Sequence, residues 1–248
     1  MGSSRYSLIF AFLLAVTVGT AHAQTVSGKP VPRVPDAAGW FALFNGKNLS
    51  GWMTFDPGGW SVAGGGELSG RGPRSYLFSP GTYRNFILQT ESRLNARGDS
   101  GILLRVALET GTPKGYEVQL CHNGADPQKT GSLYNFEKVP KSDVVDDQWS
   151  RQTIAVIGNR ILIQVNGMLL VDYPDKESTY TEGHVALQQH DPASQVTFKN
   201  IRIKPLPDDI AAALKGLEKI FPSLAETKKN GLSQLFLGRL VDRAGDEP

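Results

Sequence analysis

The sequence predicts an all-β protein, a sandwich or barrel of antiparallel strands with a short helical C-terminal tail. Short extended runs separated by turn residues fill the chain from about Gly39 to Leu206, the pattern of an all-β fold rather than of strands alternating with helices. In "QTIAVIGNRILIQVNGMLLVDY" (152–173), three apolar runs are divided by Gly158-Asn159 and Asn166-Gly167. Such pairs supply the positive φ angles of tight hairpins, so this segment reads as an antiparallel meander. Helical spacing stands out only after Pro207, where Ile210, Leu214, Leu217 and Phe221 follow an acidic cap.

Taken in order, residues 1–23 read as a secretory signal peptide. Arg5 precedes the apolar run "YSLIFAFLLAVTVGT", and "AHA" ends at Ala23 as a small-x-small cleavage signal. A cut after Ala23 implies a periplasmic or secreted protein. Residues 24–38 carry three prolines and little apolar content, the composition of an extended linker. Residues 39–206 form the β domain, with glycine turns or bulges around "VAGGGELSG". Its further strands are expected at "NFILQTESRL", "SGILLRV", "GYEVQL", "GHVALQQH" and "VTFKNIRIKPL". Residues 207–248 form the tail: a helix in "DDIAAALKGLEKIF", expected to pack on the outside of the domain, and a second in "LSQLFLGRLV". Self-association through these helices is the alternative.

Composition narrows the function. Lys plus Arg (26) nearly balances Asp plus Glu (24), so no basic field exists to collect nucleic acid. After the leader no stretch has the ~18 apolar residues of a membrane span. Cys121 is the only cysteine, so the fold relies on its core rather than on an internal disulfide.

Polar residues fall on common faces of the expected strands, because side chains alternate with a period of two. Gln89, Glu91 and Arg93 lie opposite Phe86, Leu88 and Leu94; Arg105 opposite Ile102, Leu104 and Val106; Glu117 and Gln119 opposite Tyr116, Val118 and Leu120; Gln188 and His190 opposite Val185 and Leu187. Long amide, carboxylate, guanidinium and imidazole groups suit hydroxyl recognition and proton transfer. One hollow gathering these faces is the expectation, with a wet outer surface as the alternative.

The pieces "WFALFNGKNLSGW", "SGILLR", "GYEVQL", "TGSLYN", the Trp149 segment, "VNG", "GHVALQQHD" and "VTFKNIRIKPL" occur in this order. Together they resemble the 3-keto-disaccharide hydrolase family of 3-keto-glucoside 1,2-lyases and 3-keto-2-hydroxyglucal hydratases. The resemblance covers residues 40–206. It implies a concanavalin-like (jelly-roll) antiparallel β-sandwich with a sugar groove on one sheet, an oligosaccharide or glycoside substrate, and a divalent metal ion.

The chemistry so implied is β-elimination. A ketone at C3 acidifies the C2 proton, a base removes it, and the glycosidic oxygen leaves from C1; water then adds across the double bond. This needs a base, a cationic stabiliser and an acid. On that basis Glu117, His190 and Arg105 are the candidate catalytic residues. Gln119, Gln188, Glu91 and Tyr134 are candidates for substrate binding, and Glu117, His190 and His122 for metal ligation. Trp52 or Trp60 could stack on a sugar face, whereas Trp149 reads as core. A retaining glucanase would need paired carboxylates, and "GYEVQL" follows Glu117 with Gln119. A non-catalytic, lectin-like carbohydrate-binding module is the competing reading.

Overall fold

The computed structural model of the chain describes residues 24–25, 34–56, 59–222 and 224. The expected signal peptide, most of the linker and the second tail helix at 232–241 lie outside the described residues.

The strands are β1 (Gln24–Thr25), β2 (Phe41–Ala42), β3 (Met53–Thr54), β4 (Trp60–Ala63), β5 (Glu67–Gly70), β6 (Ser75–Tyr83), β7 (Phe86–Leu94), β8 (Ser100–Val106), β9 (Tyr116–Leu120), β10 (Ser150–Ile157), β11 (Arg160–Val165), β12 (Met168–Pro174), β13 (Gly183–Gln189) and β14 (Val196–Pro205). They form two antiparallel sheets. The front sheet runs β1-β3-β6-β13-β8-β9, and the back sheet runs β12-β11-β10-β7-β14-β5-β4 with β2 also on β14.

The meander forms as its turn residues dictate, β10 pairing with β11 and β11 with β12. Strand β6 was not legible: Tyr76 and Phe78 on one face and Leu77 on the other are all buried, so the alternation that marks a strand is missing. The start of the expected linker is not a free tether, since Gln24 and Thr25 pair with Thr54 and Met53.

Between the sheets lies a core to which both contribute. Ile102, Leu104, Tyr116, Val118, Leu120 and Leu187 from the front meet Leu88, Ile154, Ile163 and Phe198 from the back, all fully buried. Each such side chain contributes roughly 1.5–3 kcal/mol through burial.

The tail packs outside the back sheet, as expected. Asp209 caps helix α1 (Ile210–Leu214), its carboxylate accepting from the Ala212 N–H at 2.7 Å. Gly216, at φ 80°, ends the helix, and a single 3-10 turn covers Leu217–Lys219. Ala213, Leu217 and Phe221 pack on Trp40, Ile87, Ala155, Ile157 and Leu162. The apolar stripe that suggested self-association is thus used within the chain.

No helix among the described residues is long and apolar enough to cross a membrane.

Candidate active site on the front sheet

The site begins with alternation on β9. Tyr116, Val118 and Leu120 fill the core, so Glu117 and Gln119 face outward over the front sheet. Gln119 pairs with Gly101 on β8, and Gln188 on β13 pairs with Tyr76 on β6. Since Ile102 faces Leu187, Gly101 lies between Gln119 and Gln188. The missing side chain makes the room: a Cβ at position 101 would collide with the Glu117 carboxylate, meeting its carboxyl carbon at 2.8 Å. Glu117 therefore reaches across β8 and accepts a hydrogen bond from Gln188.

Other segments complete the hollow. Asp99, directly before β8, accepts from the Gln119 amide at 3.4 Å and is anchored by its own N–H to Ser194 Oγ at 2.9 Å. The "TGSLYN" segment runs along the edge of β9, with Gln119 N–H to Ser132 O at 3.0 Å and Tyr134 N–H to Glu117 O at 2.8 Å. Tyr134 is thereby set beside Glu117, with its hydroxyl on Asp126. His190 follows the end of β13. Arg74 donates to its Nε2 at 2.9 Å, so the ring proton sits on Nδ1 and goes to Asp191 at 2.9 Å. Tyr76, Phe78, Leu103, Val106 and Ala186 form a small buried apolar cluster on the same side of the sheet, with Met53 and Phe55 packed against it.

The electrostatics suit proton transfer. Burial, reinforced by the neighbouring Asp99 carboxylate, pushes Glu117 up to about 7, against the lowering influence of Gln188 and Arg74. Asp99 is raised as well, first by burial, with His190 and Arg74 opposing. Two carboxylates sharing a desolvated pocket cannot both ionise freely, and a carboxyl titrating near neutrality can take and return a proton. The hydrogen bond to Asp126 and burial raise the Tyr134 phenol, keeping it protonated.

The expected hollow is therefore only partly assembled from the predicted residues. Glu117, Gln119, Gln188, Tyr134 and His190 converge. Glu91 does not: β7 belongs to the back sheet, where Glu91 pairs with Arg151 at 3.0 Å and Lys199 at 3.5 Å. Parity tells which residues share a face of one strand, not which sheet that strand joins.

Arg105 is also elsewhere. A bulge in β8, with Arg105 at φ 53°, opposes Leu104 and Arg105 to the single residue Val185. After it Val106 faces outward and Arg105 turns to the end of the sandwich. There its guanidinium donates to the carbonyls of Arg84, Gly158 and Tyr180, each at 2.8 Å. Burial brings its pKa down to about 10.

His122 is buried against Asp146, 3.3 Å from its carboxylate, and burial lowers its pKa. Trp52 is a core residue donating to Leu43 O at 3.1 Å, and Trp60, partly buried against the core, stands on β4 of the back sheet rather than on the sheet of Glu117. Trp149 is not core; it lies half-buried on the back sheet with Lys199 3.9 Å and Arg93 4.7 Å from its ring centroid.

Asp99, Arg74 and Asp126 were missed. Asp99 was readable, since two residues before Gly101 it shares that residue's face. Arg74 and Asp126 sit in loops, where no periodicity points to them.

The expected metal ligands are not brought together. His122 is held by Asp146, and both His190 nitrogens are engaged. Among the described residues no group of three or more His, Cys, Asp or Glu side chains is disposed to hold an ion. The residues as placed do not fit the expected metal centre, and no step below runs through one.

Two antiparallel sheets packed face to face, with a polar hollow of amides, carboxylates and imidazole on one outer face, make the chain a β-sandwich protein, concanavalin-like in architecture. Residues 39–204 match the model of the 3-keto-alpha-glucoside-1,2-lyase-like domain, and the chain belongs to that family. Among solved structures it is similar to a candidate glycosyl hydrolase from Parabacteroides distasonis, with 25% identity and a TM-score of 0.62 over 69% of this chain and 95% of that one. A second candidate glycosyl hydrolase from the same organism shares 21% identity, with a TM-score of 0.58 over 67% and 99% of the two chains. No curated protein matches the sequence.

Proposed function

We propose that the protein cleaves 3-keto-glycosides by β-elimination across C1 and C2, and that adding water to the product completes a net hydrolysis. The observation that carries this reading is Glu117: a carboxyl titrating at about 7, beside a cationic arginine and two amides, on the outer sheet of a domain of this family.

The Glu117 carboxylate takes the C2 proton, and the electron pair of that bond moves toward the C3 ketone as an enolate. Arg74, whose charge acts on Glu117 and Asp99, stabilises the developing oxyanion. The electrons then form the C1–C2 double bond as the aglycone oxygen leaves, taking a proton from the Tyr134 hydroxyl or from the newly protonated Glu117. Gln119 and Gln188 hold substrate hydroxyls. From the signal-peptide pattern of residues 1–23 we infer that this reaction runs in the periplasm or outside the cell.

The test is to mix the purified protein with a 3-keto-disaccharide and follow the ultraviolet absorbance of the enolised product. Glu117→Gln is expected to lower the rate ~10²- to 10⁴-fold, the usual contribution of a positioned base. Parallel runs with and without EDTA read out the divalent ion implied by the family. Saccharide binding without turnover in the unmodified protein would overturn the proposal in favour of a non-catalytic, lectin-like module.

A further inference from the structure

The back sheet carries a second polar cleft, on the opposite outer surface of the sandwich from Glu117. A hollow of about 530 Å³ lies over β7 and β14, and a neighbouring one of about 590 Å³ over β7 and β10. They share Gln89, Glu91 and Arg151; Asn200 and Arg202 line the first, and Trp149 lines the second. The helical tail covers only part of this sheet, and Ile220 forms one wall of the second hollow.

A backbone irregularity builds the cleft. Strand β14 shifts register between Lys199 and Arg202, and Asn200 stands at φ 54°, a left-handed conformation uncommon for a side-chain-bearing residue. Regular alternation would place Asn200 in the core and Ile201 outside. With the bulge, Ile201 is buried, and Lys199, Asn200 and Arg202 all face outward over Gln89 and Glu91. Bulges that re-aim side chains concentrate at functional sites.

The charges favour one class of ligand. Across this face Arg93, Arg151, Lys199, Arg202 and Lys204 outnumber Glu67, Glu91 and Asp36. Arg93 pairs with Glu67 at 3.1 Å, while Arg151 and Lys199 share Glu91. Arg202 is held by an amide and an indole rather than in a carboxylate ion pair: its Nε and a terminal nitrogen donate to Gln89 Oε1 at 3.0 and 2.6 Å, its guanidinium lies 4.7 Å over the Trp40 ring, and Asp36 acts on it only through space. Planar amides and exposed guanidinium groups in a shallow groove suit a saccharide, and the cationic excess suits one bearing carboxylates.

We propose that this cleft is a second binding site, for a uronate-bearing oligosaccharide, in which Arg151 and Arg202 take the carboxylate and Gln89 and Asn200 take hydroxyls. It is independent of the reaction assigned to the front sheet.

Calorimetric titration of the whole purified protein with tetragalacturonate, and with the same tetrasaccharide after reduction of its carboxyls to alcohols, tests the proposal. The acidic oligomer binds and the reduced one does not; Arg151→Gln and Arg202→Gln each weaken binding about tenfold or more, as loss of a charge-assisted hydrogen bond does. Asn200→Gly, which accepts the same backbone angle, weakens it without disturbing the fold, and Glu117→Gln leaves it unchanged. Equal binding of the two oligomers, no binding of either at millimolar concentration, or binding lost in Glu117→Gln but kept in the arginine variants overturns the site.

Discussion

Glu117 shows what one buried carboxyl does to the whole chain. Its ordinary value is 4.5 and its value in the folded protein is about 7. Below about 4.5 both the folded and unfolded states hold the proton and stability is unaffected. As pH rises toward 7 the unfolded chain releases it freely while the folded chain resists, so stability falls through that window, by a total on the order of 3 kcal/mol. Glu117→Gln should therefore be more stable than the parent at pH 8 and nearly equal to it at pH 4, as read from urea midpoints at the two pH values. The folded parent gains its carboxylate only around pH 7, so elimination should speed up between about pH 6 and 8, at the upper end of the window in which the fold weakens. At this scale the sequence was informative where parity holds: Glu117, Gln119 and Gln188 each face outward as their alternation requires. It misled at Arg105, because nothing in "SGILLRV" announces the bulge that turns that side chain away.

Strand β8 carries the site more by what it lacks than by what it displays. Gly101 leaves the gap that the Glu117 carboxylate occupies, and the strands on either side hold Gln119 and Gln188 at matching heights. Gly101→Ala forces that carboxylate to move or the strands to part, an overpacking that costs about 1–3 kcal/mol. The elimination rate should drop at least about tenfold, since small misplacements of a reacting group cost that much or more; kinetics alongside urea denaturation separates the two effects. The glycine stands in the quoted "SGILLR" run, but its purpose emerges only once β9 lies next to β8. Hairpin pairing was legible because Asn-Gly and Gly-Asn turns act locally. Strand β6 escaped notice because both of its faces are buried, and the back-sheet placement of β7 because sheet membership depends on contacts distant in sequence.

Across the molecule, the helical tail acts as a cover for one end of the back sheet. Phe221 is fully buried against that sheet with Leu217 and Ala213. Phe221→Ala should lower unfolding stability by about 3–5 kcal/mol, the range for truncating a buried aromatic, as measured by urea denaturation. A markedly smaller loss would mean that the tail is only loosely seated. The amphipathic spacing and the acidic cap made this packing foreseeable from the sequence. Which of the two outer surfaces gathers Glu117, Gln119 and Gln188 was not, because both display similar polar residues, and only the order of strands sorts Glu91 from Glu117.

Between the two outer surfaces lies the layer of inward-facing side chains. Apolar side chains dominate it, with Thr90, Ser92, Ser150 and Gln152 buried among them; the sheets stack about 10 Å apart, so substitutions around Glu117 and around Arg202 lie far enough apart for their effects to add independently. Evolution or an engineer can thus rewrite either surface while leaving the side chains of the other in place.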